Sequence, residues 1–473
     1  MTPPAQDPLK AKTRRSGCSP RPAPGTVAVL ALALAGVSAT LPSPGGAQQD
    51  SLPGVRLGLV YETTYFPPLA VKPFTGRFGG QAVASQVEAI VGRDLGYSDR
   101  FEMMTGLPQE LGGEGVDYTL WDRLGAVWLV TGRVEGSGDG FVLVLEVHDV
   151  VYGTIKDQGR FRLPDPLDPG FRMAVHRASD AVVQWIFGEP GMASSRIAFS
   201  MTRDGGATRE IYIIDSDGEN LGRLTDHGDL ALSPSFSPDG NRILYNAMDS
   251  ATLQWRVYEQ NLATGRDELV QPLREGNYYT PSYLPDGERV AFQIHTGERT
   301  GLFSYNLRQN CCLTNLTEGR SEDLSPTFSS DGEWMAFNSN RLGTAVPQVF
   351  VMPVSGGGAE LISPYEYGRA GYYTAPDWAP FGDRVAFHGR VGRSGRFHIL
   401  VGQRGDRSSL LQLTAEGNNE DPSWAPDGRH IVFVGERSWG YGLFVVDTAT
   451  GAIRTLLRGV DVGEPDWSPT LGG

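Results

Sequence analysis

Five short apolar runs of strand type recur along the C-terminal half of this chain: Arg242-Ile243-Leu244-Tyr245, Arg289-Val290-Ala291-Phe292, Trp334-Met335-Ala336-Phe337, Arg384-Val385-Ala386-Phe387 and His430-Ile431-Val432-Phe433. Each follows one phrase, a proline, a small or acidic residue, an aromatic, a small or apolar residue and a tight turn. The first copy is Pro234-Ser235-Phe236-Ser237-Pro238-Asp239-Gly240, and others start at Pro281, Pro326, Pro376 and Pro422. A cut-off sixth copy reads Pro465-Asp466-Trp467-Ser468-Pro469. The first prolines fall 43 to 50 residues apart, the length of one four-stranded propeller blade. Proline sets φ at the second turn position and glycine takes the left-handed one, so phrase and apolar run form two paired strands. A third strand follows, as in Leu302-Phe303-Ser304-Tyr305, then a fourth that closes near Leu-Thr, as in Leu224-Thr225 and Leu413-Thr414. Two copies depart, with Ser330 for proline and Phe381 for aspartate, and both keep the turn glycine.

The sixth phrase leaves no room for strands two to four. Matching pieces stand at the other end of the repeat region: Arg196-Ile197-Ala198-Phe199-Ser200, Glu210-Ile211-Tyr212-Ile213-Ile214 and Gly222-Arg223-Leu224. Pairing them with the last phrase closes the ring and removes the free sheet edge. The expectation is a six-bladed propeller over residues 196–473, one blade shared between its two ends.

Residues 54–188 carry no repeat and read as a small α/β domain. A strand is expected over 69–74. A helix over 82–95 spaces Val83, Val87, Ile90, Val91 and Leu95 on one face. Strands are expected at 100–102, 127–134 and 141–149, the last two paired across a Gly-rich turn. A helix over 171–187 points Val175, Val182, Val183, Ile186 and Phe187 at that sheet. Glu189-Pro190-Gly191 ends it and opens a linker over 189–195.

The first 47 residues differ in composition. Lys10, Lys12, Arg14, Arg15 and Arg21 precede an apolar stretch over 27–37, and Gly45-Gly46-Ala47 offers small residues for cleavage. The stretch is about half the roughly 20 residues a bilayer requires, so it reads as an export signal. Arg14-Arg15 raises the twin-arginine route, although Ser16-Gly17-Cys18 lacks the apolar residues expected next, and both export routes stay open. Without residues 1–47 the chain keeps 36 basic against 54 acidic residues, a net charge of −18. Such a surface repels nucleic acid and anionic lipid, which leaves proteins as partners. Cys311 and Cys312 are adjacent, and neighbouring strand residues point to opposite faces. They read as two free thiols or a vicinal bridge without a role.

Nothing in the chain points to catalysis. It has no Gly-x-Ser-x-Gly, no His-Glu-x-x-His and no Gly-x-x-x-x-Gly-Lys. His388, His398 and His430 lie in or beside strands and read as packed or surface groups. Asp215-Ser216-Asp217-Gly218 has the start of a calcium loop without the rest, and reads as a hairpin turn. No cofactor or metal is expected.

An export signal, a small α/β domain and six blades ending on a bare Pro-Asp-Trp-Ser-Pro resemble the TolB family of periplasmic propellers. In the first domain Val71-Lys72-Pro73-Phe74, residues 91–101, Leu124-Gly125-Ala126 and Val130-Thr131-Gly132-Arg133-Val134 carry the resemblance. It implies a monomeric, non-enzymatic periplasmic adaptor of the Tol–Pal system. Such an adaptor binds the peptidoglycan-associated lipoprotein and TolA, supports envelope integrity and division, and meets membranes only through those partners. Residues 48–53 would be the arm that engages TolA. The lipoprotein would dock on the segments just before the repeat prolines: Asn277, Tyr278, Tyr279 and Thr280; Glu322, Asp323 and Leu324; Tyr372 and Tyr373; Asn418, Asn419 and Glu420. The alternative for the tyrosines is that they brace neighbouring blades. The alternative for the whole protein is an exported propeller that binds peptide or sugar ligands as accessory to a hydrolase.

Overall fold

The computed structural model describes residues 65–472 apart from 108–110, 112–114, 139, 203–205, 207, 271, 273–275, 296–299, 344, 366–370 and 391–394. The export signal at 1–47, the arm at 48–53 and the first residues of the α/β domain, 54–64, lie outside the described residues.

The α/β part runs β1 (Pro68–Val71), β2 (Thr75–Arg77), α1 (Gln81–Tyr97), β3 (Glu102–Met103), α2 (Tyr118–Arg123), β4 (Trp128–Ser137), β5 (Gly140–Asp149), β6 (Thr154–Leu163) and α3 (Phe171–Phe187). Its sheet has the order β3-β1-β4-β5-β6, with β2 paired to β4. β1 is parallel to β3 and β4, and the β4–β5–β6 meander is antiparallel. The two long helices cover the sheet with the residues their spacing selects: Val83, Val87, Ile90, Val91 and Leu95 meet Val175, Val182 and Val183 over Leu69, Val130, Leu143 and Leu145. Three elements have no counterpart in the sequence reading. β6 is polar and largely exposed along its first nine residues, so no apolar period announces it. α2 has one turn and a half, and starts where Asp117 accepts from the Leu120 N–H at 3.1 Å. β2 is three residues long.

Five sheets of four consecutive antiparallel strands follow, and a sixth pairs Asp461–Trp467 with Arg196–Thr202, Glu210–Asp215 and Gly222–Arg223. The expected closure is present, with Trp467 opposite Ile197 and Val462 opposite Met201. Trp467 is 5% exposed, and its indole N–H donates to Ser195 Oγ at 2.7 Å.

The repeat phrase acquires a physical meaning here. All six innermost strands bulge around their proline. The residue before each proline, Ser233, Thr280, Ser325, Ala375, Asp421 or Glu464, has φ between 45° and 52°. A bulge takes its backbone out of the ladder, so its N–H groups need partners elsewhere. The neighbouring blade supplies them. It also takes N–H groups that point off the open edge of the innermost strand just past the bulge: Asp377 accepts from Trp424 N, Ser423 from Trp467 N, Asp466 from Phe236 N and Thr327 from Trp378 N, at 2.7 to 3.1 Å. At the bulges themselves, Glu464 accepts from Ser233 N, Asp421 from Glu464 N, and His388 Nδ1 from Asp421 N, at 2.8 to 3.3 Å. In four of the six phrases, at Thr327, Asp377, Ser423 and Asp466, the residue after the proline is therefore an acceptor aimed at the next blade, and the aromatic after it fills the joint.

The ends of the fourth strands work alike within a blade. Thr225, Thr317, Ser363 and Thr414 accept from the third-strand N–H groups of Ile211, Leu302, Val349 and Ile399 at 2.9 to 3.1 Å. At the two departures from the phrase, Gly332 and Gly382 both hold φ 71°, a conformation that costs any side chain. Asp239 and Asp331 cap their turns by accepting from Asn241 N and Glu333 N. Phe381 has no acceptor to offer and leaves that task undone in the fourth blade.

Cys311 and Cys312 form a disulfide at the start of the strand Cys311–Asn315, their Cα atoms 3.8 Å apart. Of the two readings left open by the sequence, the bridge holds. Cys312 has φ 66°, which breaks the alternation that otherwise points neighbouring side chains apart. Among the described residues no helix is long and apolar enough to cross a membrane.

Trp467→Ala should lower the unfolding free energy by roughly 3–5 kcal/mol, read as a fall in the urea midpoint, because it removes the closing aromatic and the bond to Ser195. Burial pushes the Asp377 carboxyl up to about 6 against the hydrogen bonds it accepts. A carboxyl with a raised native pKa contributes its stability below the unfolded value near 3.8 and loses it as the pH climbs through about 6. Asp377→Asn should therefore cost about 2–3 kcal/mol more at pH 4 than at pH 8. Denaturant titrations of both proteins across that range check it, and parallel curves would contradict it.

Candidate functional site

The segments before the repeat prolines are not free loops. They open, or stand one residue before, the innermost strands Asn277–Tyr283, Asp323–Phe328, Tyr373–Trp378 and Asn419–Trp424. Strand alternation divides the expected docking residues into two sets. Tyr278 (0% exposed), Asp323 (2%), Tyr373 (2%) and Asn419 (0%) are buried, which corrects their placement on an accessible rim. Tyr278 meets Phe292 edge-on at 5.3 Å, and Tyr373 meets Phe387 at 6.1 Å. Asp323 is paired with Arg341 at 3.1 Å. Asn419 donates to the Glu416 carbonyl at 2.9 Å and accepts from Arg437 at 3.1 Å. For these two tyrosines the bracing alternative is the one the packing supports.

The other set opens toward solvent. Glu322 is exposed, and Asn277, Tyr279, Thr280, Leu324, Tyr372, Asn418 and Glu420 are half-buried. Tyr279 lies against Trp255 with ring centres 5.9 Å apart, and Tyr372 lies against Phe397 at 5.6 Å with the Arg390 guanidinium over both rings. The two asparagines are fixed across blades. Asn277 Oδ1 accepts from Trp255 N at 2.9 Å, and Asn418 Oδ1 from Phe397 N at 3.1 Å while its amide donates to Glu436 at 2.7 Å. Trp255, Arg390 and Phe397 were missed by the sequence reading. They come from the second-to-third strand ends, Trp255 from the blade before that of Tyr279 and Arg390 and Phe397 from the same blade as Tyr372, where the repeat phrase carries no signal.

These residues surround one mouth of the central channel. The channel, about 160 Å³, is walled by the repeat prolines and carries Asp377, Asp421, Glu464 and Asp466. Burial raises the pKa of all four, with Asp377 adding to the rise at Asp466 and Asp421 to that at Glu464. Burial pushes His388 down to about 3, so its ring is neutral and serves as the acceptor for Asp421 N. The polar groups of the channel wall are thus engaged in holding blades together.

The α/β part packs at the opposite end, on the turns. Arg93 meets Glu219 at 2.9 Å, and Arg177 holds the carbonyls of Leu471 and Gly472 at 3.2 and 2.8 Å. Asp94, His176 and Asp217, and likewise Asp99, His430 and Asp447, bring ligating atoms within 4.8 Å of one another there. Arg172 already sits on Asp217 and Arg429 on Asp447. Guanidinium groups on the carboxylates make these balanced ion clusters and poor metal cages.

Comparison with known proteins agrees with this architecture. Residues 183–471 match the family model described as the TolB beta propeller domain, and residues 61–155 that of the TolB amino-terminal domain. A Tol-Pal system protein TolB of Methylococcus capsulatus is 31% identical over 208 residues, 43% of this chain and 47% of the relative. One of Anaeromyxobacter dehalogenans is 31% identical over 268 residues, 55% and 59% of the two chains. The chain thus spans about half the length of the relatives it matches. The crystal structure of TolB from Acinetobacter baumannii superposes with a TM-score of 0.73 at 23% identity, covering 86% of this chain and 97% of that one, which shows a shared fold. The propeller model spans more than half of the chain and the amino-terminal model precedes it in the same order, so the chain belongs to the TolB beta-propeller family.

Proposed function

We propose that this protein is a non-enzymatic periplasmic adaptor of the Tol–Pal system, exported by its N-terminal signal. Its open propeller mouth receives the peptidoglycan-associated lipoprotein, and the segment at 48–53 engages TolA. In this role it helps keep the outer membrane attached and the envelope constricting at division. The observation that carries the reading is the rim of Tyr279, Trp255, Tyr372, Phe397 and Arg390 around an acid-walled channel, at the end of the propeller away from the α/β part. Half-buried aromatics packed on one another, with an exposed arginine stacked over two of them, lose little side-chain freedom when a partner arrives, which suits them to docking. The channel carboxylates spend their lone pairs on backbone N–H groups. That suits a scaffold better than acid–base chemistry, which needs a carboxyl free to exchange its proton with substrate.

Tyr279→Ala combined with Tyr372→Ala should weaken binding of the lipoprotein by about tenfold or more, with a melting temperature close to that of the parent. Isothermal titration against purified lipoprotein measures it, and unchanged affinity would place the docking face elsewhere. Tyr373→Ala should behave oppositely. It removes a buried ring and should cost roughly 3–5 kcal/mol of stability, seen in denaturant unfolding.

A further inference from the structure

The joint between the α/β part and the propeller contains two fully buried histidines, one from each side. His176 of α3 puts Nδ1 2.8 Å from Asp94 Oδ2 of α1, while its Nε2 faces Asp217 Oδ2 of the sixth blade at 3.9 Å. His430 of the fifth blade puts Nδ1 2.6 Å from Asp427 Oδ2 in its own turn, and Nε2 3.3 Å from Asp99 Oδ2, two residues beyond α1. Each ring thus bridges a carboxylate of its own domain and a carboxylate of the other.

A neutral imidazole has one N–H and one lone pair. At His430 both nitrogens face carboxylates, so a neutral ring satisfies only one of them. At His176 the bond to Asp94 takes the Nδ1 proton, and a neutral ring would turn the Nε2 lone pair toward Asp217; Nε2 has no hydrogen-bond partner otherwise. The surrounding charges lead to the same state. Around His176 stand Asp94, Asp215, Asp217 and Glu219 against Arg93, Arg172 and Arg196, with Asp180 beyond Asp94. Around His430 stand Asp99, Asp427 and Asp447 against Arg429 and Arg454. With Asp180 counted, the carboxylates exceed the guanidinium groups by two around His176 and by one around His430, so an imidazolium at each place offsets negative charge. Unbalanced buried charge is costly.

We propose that His176 and His430 are paired protonated ties which hold the α/β part against the propeller, and that losing their protons loosens this joint. The reading is independent of which partners the protein binds. Burial lowers the pKa of both rings, yet the facing carboxylates outweigh it and leave both above the ordinary histidine range. A raised native pKa means the stabilisation is complete below the unfolded value near 6.5 and is lost as the pH rises through the native values.

The test is a pulsed electron spin distance measurement on the full chain, with labels on non-natural amino acids at the exposed positions Tyr152 and Leu269. One narrow distance is expected at pH 5.5, with a second, displaced population appearing by pH 9. His176→Gln with His430→Gln should show that population at both pH values. Asp217→Asn keeps both rings and removes one facing charge, so it should move the onset about one pH unit lower. It serves if the double variant does not fold. Identical wild-type distributions at pH 5.5 and 9 overturn the proposal, as does an unchanged pH response in the double variant or an unmoved onset in Asp217→Asn.

Discussion

A backbone N–H that a bulge has taken out of its sheet has to find an acceptor, and the whole propeller is organised around that requirement. Every innermost strand is bent at the residue before its proline. The freed N–H groups are then taken by a side chain of the adjacent blade, as in Ser233 to Glu464 and Glu464 to Asp421, and so are N–H groups on the strand's open edge, as in Trp424 to Asp377. Blades are therefore joined by directional bonds as well as by packing. The same need accounts for carboxylic acids standing in a buried channel wall, where they are poorly solvated and would otherwise be excluded.

This arrangement also gives the two ends of the wheel different surfaces. At the turn end the mouth is engaged with the α/β part through Arg93, Arg177, Arg429 and their acceptors. At the other end, strand alternation sends Tyr278 and Tyr373 inward and turns Tyr279 and Tyr372 outward, where Trp255 and Phe397 of neighbouring strands stiffen them. Rigid aromatic surface beside a wall of saturated polar groups favours recognition over reaction. The two ends of one wheel thus have separate physical tasks, and the histidine pair at the joint is the place where protons bear on how the two domains are held.

Much was legible in the sequence because it is local. The spacing of the prolines, the turn glycines and the apolar runs announced six blades, the shared last blade and both long helices, α3 with the bounds Phe171–Phe187. β6 was not legible, since its exposed first nine residues leave no apolar period, and neither was α2, too short to show one. The rim was half legible. Its position follows from the phrase, but the facing of each residue depends on a register that a one-residue shift inverts.

Sequence alone determined the architecture, because five blades are built from contacts within fifty residues, and the recurring punctuation marks the sixth even though its strands lie at the two ends of the propeller. Tertiary structure alone decided what the individual polar groups do. The acceptor role of Asp377, the bridging of Cys311 to Cys312 through a left-handed Cys312, and the partners of His176 and His430 were all settled in the folded chain. Asp99 and His430 stand 331 residues apart along the chain. No local period encodes that distance, and a buried ionic contact exists only once the folded chain has brought its members together and withdrawn them from water.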